Sequence, residues 1–121
     1  MITRAAVDEA LNIHASWKNR LQDAIVTQQS EVTVDDVKRD DRCPLGVWLH
    51  ALSPDDMRTG DFELVHSLHA QFHEAAAEVL SRALEGKVSE ALRMLEYNGA
   101  YEQISANLVR ALGDWKQKLA V

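Results

Sequence analysis

Apolar side chains return every three or four residues along most of this chain, and that spacing commits it to helices. Val7, Leu11, His14, Lys18, Leu21 and Ile25 mark one stripe between about Thr3 and Gln29, with Ala10, Trp17 and Ala24 beside it. Thr3 or Asp8 caps its start, and Lys18 sits at its edge with the amine reaching solvent. A second stripe takes in Phe62, Val65 or His66, His69, Phe72, His73, Ala76, Val79, Leu80, Ala83 and Leu84. Its helix is expected to start at Asp61 as cap and to end near Glu85, closed by Gly86. A third runs from near Val88 through Leu92, Leu95, Tyr101, Ile104, Leu108, Leu112, Trp115 and Leu119. Asn98-Gly99 is the one place where that last helix can break or kink. Two prolines and five glycines in 121 residues leave little to interrupt helix.

Between the first two stripes the text changes. Residues from about Ser30 to Arg42 are polar and read as a connection, with room for a short helical turn around Val34 to Lys38. Cys43-Pro44 marks a helix start, because proline suits the first helical position and pushes its predecessor into extended geometry. Leu45, Trp48, Leu49 and Leu52 then form the apolar side of a short helix, and Ser53-Pro54 caps another turn that ends near Gly60. The expected fold is all-α: three long helices and one short helical insert carrying Cys43, in one domain over residues 1–121.

Charge and length narrow the function. A net charge of -6, with no cluster of Lys and Arg, argues against a duplex-binding surface. No apolar run approaches membrane-spanning length and the N-terminus lacks a signal-peptide core. One cysteine cannot close an internal disulfide and fits a reducing compartment, so the expected location is cytoplasmic. Neither a phosphate-binding glycine loop nor a serine elbow is present, and no enzymatic activity is expected.

The unusual residues are polar ones on inward faces. His14 falls in the middle of the first stripe, and His69 and His73 stand one turn apart on the second, a spacing that lets two imidazoles share a metal. The intervening Ala70-Gln71-Phe72 lacks the glutamate that a zinc-protease helix requires. Cys43, at a helix start, is placed where the dipole favours thiolate. Gly46 is odd inside a helical turn and makes sense if a neighbouring helix or a metal site packs close to its backbone. Each ligand also has an ordinary reading: His14 as a hydrogen-bonded core histidine, Cys43 as a small buried hydrophobe. Their conjunction favours zinc, since one thiolate and three imidazoles fill a tetrahedral shell and would satisfy four buried polar groups at once.

Other readings stay open at this level. His66 lies three residues before His69, so a His66-His69 pair is an alternative ligand set, whereas His50 is expected to face solvent. Asp40 and Asp41 precede the cysteine closely enough to orient a ligand imidazole, or they form a solvated loop. The three tryptophans, Trp17, Trp48 and Trp115, read as core anchors. A haemerythrin-like di-iron bundle would want more histidines and bridging carboxylates. A histidine phosphotransfer bundle would want a basic neighbour, and His66 has no Lys or Arg within four residues.

Three blocks in order, His14-Ala15-Ser16-Trp17, Cys43-Pro44-Leu45-Gly46-Val47-Trp48 and His69-Ala70-Gln71-Phe72-His73, resemble the chemoreceptor zinc-binding (CZB) domain. The resemblance implies a four-helix bundle with the Cys-bearing insert, in which His14, Cys43, His69 and His73 bind one Zn2+, and it prefers His69 to His66. It further implies a cytoplasmic bacterial sensory module, often a homodimer, attached to a chemoreceptor or a diguanylate cyclase. The zinc-bound cysteine of such a module senses zinc availability or oxidants such as hypochlorous acid.

Overall fold

Seven helices carry the fold of the residues described, 2–41, 43–96 and 98–119, in a computed structural model. They are α1 (Arg4–Thr27), α2 (Val34–Lys38), α3 (Pro44–His50), α4 (Pro54–Met57), α5 (Gly60–Leu84), α6 (Val88–Leu95) and α7 (Ala100–Gln117). The bundle is all-α, as the periodicity requires. Arg42, the expected end of the polar connection, lies outside the described residues.

Local chemistry sets the boundaries. Thr3 caps α1, its hydroxyl accepting from the Ala6 amide at 3.1 Å, which selects it over Asp8. The cap of α5 is Thr59 rather than Asp61: the Thr59 hydroxyl takes the Phe62 amide at 3.1 Å. Asp61 instead lies inside the first turn, where its charge suits the dipole and its carboxylate receives Lys118 Nζ at 3.0 Å. The last stripe breaks where Asn98-Gly99 said it should, separating α6 from α7. Asn98 adopts a left-handed φ of 70°, and a Cβ on Gly99 would strike the carbonyls of Arg93 and Met94.

α5 is the central element, packed against α1, α2, α6 and α7. Val65, Phe72, Ala76, Val79, Leu80 and Ala83 are buried along its inner face, together with His69 and His73. From α1 come Val7, Ala10, His14, Trp17, Leu21 and Ile25, and from α7 Tyr101, Leu108, Leu112 and Trp115. Leu84 and Leu92, expected on inner stripes, are 41% and 43% exposed. Their helix neighbours Ala83, Ala91 and Leu95 are buried, so each of the two leucines sits at the edge of the covered face. Trp17 and Trp115 are core residues, while Trp48 is half-buried and packs its ring against Trp115 at 5.7 Å.

The polar connection contributes more than a linkage. Thr33 caps α2 by accepting from the Asp36 amide at 3.1 Å, and Val37 from this short helix is 3% exposed against α5. The connection then delivers the chain to α3, whose first residue is Pro44 and whose cap is Cys43 in extended geometry.

Candidate metal centre

Cys43, His69 and His73 converge in the interior from two elements. His69 and His73 are each 1% exposed, one turn apart on α5, and Cys43 reaches them from the cap of α3. The Cys43 Sγ lies 3.2 Å from Nε2 of His69 and 3.2 Å from Nε2 of His73, and the two nitrogens are 3.0 Å apart. A tetrahedral zinc with ordinary bond lengths sets its ligand atoms about 3.3 Å apart for two nitrogens and about 3.6 Å for sulfur and nitrogen. The triangle therefore needs to open by only about 0.4 Å on each edge to accept the ion.

The supporting groups fix how two of these side chains present themselves. Nδ1 of His73 is 2.8 Å from the carbonyl of Val37, so Nδ1 carries the proton and donates it, leaving the Nε2 lone pair for a metal. Trp17 meets the same imidazole edge-on at 5.6 Å. The Cys43 sulfur accepts from the Gly46 amide at 3.3 Å. Asp40 and Asp41 do not hold a ligand imidazole. Asp41 is paired with Arg39 at 3.1 Å, and the Asp40 carboxylate lies nearest His50 at 3.9 Å.

Gly46 has a definite reason. A Cβ there would run into the carbonyl oxygen of Asp40, with the carbonyl carbon at 2.8 Å and Asp41 Cα at 3.2 Å. The chain's own approach to the cysteine, at Asp40 and Asp41, is what crowds it.

His14 is buried in the same interior, 5% exposed, but its ring nitrogens are not among the three converging donor atoms. Its Nε2 is 2.8 Å from the Ser105 hydroxyl and its ring packs on Phe72 at 4.4 Å. Nδ1 of His14 and Nδ1 of His69 are buried without a hydrogen-bond partner. An orphaned imidazole nitrogen in an apolar interior is costly. His66 does not join the triangle; it faces His50 across α3 and α5.

The electrostatics favour neutral ligands. Burial, with the neighbouring His73, pushes His14 down to about 4. Burial and the surrounding imidazoles push His69 down to about 3, and burial lowers His73. All three rings thus offer lone pairs at neutral pH. Cys43 moves the other way from the expectation for a helix start. Burial raises its thiol above the ordinary range, outweighing the Gly46 and Leu45 amides that favour thiolate, and Asp40 adds to the rise.

The model of the chemoreceptor zinc-binding domain family matches residues 14–80, from His14 through both histidines of α5 and more than half of the chain. The chain belongs to this family. No curated protein and no solved structure matches it. CZB domains are regulatory sensory domains that bind zinc, and Cys43, His69 and His73 lie close enough together to serve as ligands. Among the described residues no helix is long and apolar enough to cross a membrane.

Two participants escaped the sequence reading. The Val37 carbonyl is a backbone group and leaves no trace in residue type, although the short apolar register of Val32, Val34 and Val37 hinted that the connection packs inward. Ser105 carries no signal in the sequence, and only the bundle brings it to His14.

Proposed function

We propose that this CZB domain binds one Zn2+ through Cys43, His69, His73 and His14, and acts as a non-catalytic sensory element. The convergence of Cys43 Sγ with the two Nε2 atoms carries the reading. A metal held by these donors would satisfy three mutually facing groups that otherwise share too few protons. His14 is assigned as the fourth ligand because it is buried beside them, neutral, and keeps an unpartnered Nδ1.

When bound, zinc supplies a positive charge that holds the Cys43 thiol deprotonated against its burial. The protein residues do the rest. Val37 fixes the tautomer of His73, the Gly46 amide supports the sulfur, and the contact of Gly46 with Asp40 seats α3. A cleft of about 300 Å3 between α1, α2 and α3 reaches Cys43 and His73 and gives a small oxidant a path to the sulfur. Attack of the Cys43 thiolate on hypochlorous acid transfers two electrons from sulfur, forms the S–O bond of a sulfenic acid and releases chloride. The weakened ligand then frees α3 from α5 and repacks the bundle, and the change passes to a chemoreceptor or diguanylate cyclase partner, with the domain working as a homodimer in the cytoplasm. Loss of zinc at low zinc availability gives the same release.

Elemental analysis of the purified protein tests the site. About one zinc per chain in the wild type and a loss of at least tenfold in zinc affinity in Cys43→Ala are expected. Full zinc retention by the wild type after stoichiometric oxidant, or full retention with an unchanged fold in Cys43→Ser, would refute the switch.

A further inference from the structure

The insert helix carries chemistry at both ends. Cys43 caps its N-terminus, and His50 is its last residue, about 10 Å further along a helix of this length. Around His50 a second group of donors forms outside the zinc triangle. Asp40, His50 and His66 each offer one ligand atom, all within 4.8 Å of one another. The Asp40 carboxylate is 3.9 Å from Nε2 of His50, and the rings of His50 and His66 meet edge-to-face at 5.6 Å. Phe62 stacks on His66 at 5.4 Å and 9°, which fixes that imidazole on α5. His66 Nδ1 is buried and has no hydrogen-bond partner.

We propose that Asp40, His50 and His66 form a second, open site for a divalent transition metal at the C-terminal end of α3. Two imidazoles and a carboxylate suit zinc and its neighbours rather than calcium or magnesium, which take oxygen donors. Ligand atoms around such an ion stand about 3.3 Å apart, so the group must draw in by about 1.5 Å at most. His50 supplies that movement, since its side chain is 47% exposed and can change rotamer without disturbing the core. Three protein ligands leave a coordination position to solvent, the hallmark of an exchangeable rather than a closed structural site.

Both sites join α3 to α5, one at each end of the insert. The backbone of Asp40 packs against Gly46, and its carboxylate faces His50, so the same residue touches the insert twice. Metal at the second site therefore favours the docked insert, and by linkage strengthens metal binding at Cys43.

Cobalt(II) titration of the full, metal-free chain separates the two sites, because only Cys43 gives a thiolate-to-cobalt charge-transfer band. The wild type is expected to bind about two equivalents by equilibrium dialysis, the weaker one without that band. His50→Ala is expected to retain the band and fall to about one equivalent, and His66→Gln, with its helicity checked by circular dichroism, to do the same. Cys43→Ala is expected to lose the band yet keep an equivalent that depends on His50. Saturation of the wild type at about one equivalent that carries the band, or survival of the weaker equivalent in His50→Ala, overturns the proposal. Absence of the band with the His50-dependent equivalent intact would count against the Cys43 site alone and supports this one.

Discussion

Replacing Gly46 with alanine perturbs the candidate zinc site without touching a ligand. On helix propensity alone the change stabilises α3 by about 1 kcal/mol. The surroundings reverse the sign. The new Cβ would meet the Asp40 carbonyl carbon at 2.8 Å and Asp41 Cα at 3.2 Å, with the carbonyl oxygen nearer still. Carbon atoms in contact settle at about 3.5–4.0 Å, so the Asp40 carbonyl must withdraw by at least about 0.7 Å. Its atoms are backbone and cannot swing aside as a side chain would. Overpacking of this kind costs about 1–3 kcal/mol, and a rigid neighbour places it toward the upper end, for a net loss of about 1–2 kcal/mol. The displacement also exceeds the roughly 0.5 Å within which a ligand set must be held. Cys43, whose sulfur accepts from the Gly46 amide, moves with the helix start. Zinc affinity is expected to fall at least about tenfold, equivalent to about 1.4 kcal/mol. Urea melts with and without a chelator give the stability, and competition against a chromogenic zinc chelator gives the affinity. An alanine variant as stable as the wild type, with zinc affinity unchanged within about a factor of two, would refute the reasoning.

The remaining expectations concern single groups around the same centre. Val37→Ala removes buried apolar volume from α2 and is expected to cost about 2 kcal/mol in urea melts, with weaker zinc retention because the carbonyl that orients His73 is less firmly held; unchanged retention would show that the carbonyl is held by other contacts. Ser105→Ala leaves His14 without its hydroxyl partner, so if His14 is a ligand the zinc affinity changes, whereas an identical titration curve would remove His14 from the shell. In metal-free protein, stability is expected to be flat from about pH 6.5 to the ordinary thiol range near about 8.5, where the raised Cys43 thiol begins to cost, and to fall on acidification. The unfolded histidines take up protons near 6.5, while folded His14 and His69 resist until about 4 and about 3. Each contributes a loss of about 1.4 kcal/mol per pH unit across that window, and melts that strengthen on acidification would contradict it.

The all-helical class was legible because it rests on spacing and on the scarcity of breakers, both local properties. The Cys43-Pro44 start and the Asn98-Gly99 break followed from the backbone limits of single residues. The start of α5 was misplaced because Thr59 and Asp61 are both good caps by type, and only the hydrogen bond to Phe62 separates them. Leu84 and Leu92 satisfy the helical period, but a period says which face a residue shares and not whether a neighbour covers that face. For Asp40 and Asp41 the sequence left two readings open, and only the structure gives them Arg39 and His50 as neighbours, since a loop carboxylate can turn toward any base within reach.

Sequence by itself determined the types and helical register of the candidate ligands, and the family of the chain. Two imidazoles at one-turn spacing must share a face whatever the fold, because a helix fixes that geometry within a few residues. Tertiary structure decided everything that depends on separation along the chain. It brought Cys43 to His69 and His73, set the Val37 carbonyl against His73, gave Ser105 to His14, and drew Asp40, His50 and His66 into a separate group. Most of these contacts join residues far apart in the chain and arise only when the helices pack together, so no local pattern encodes them.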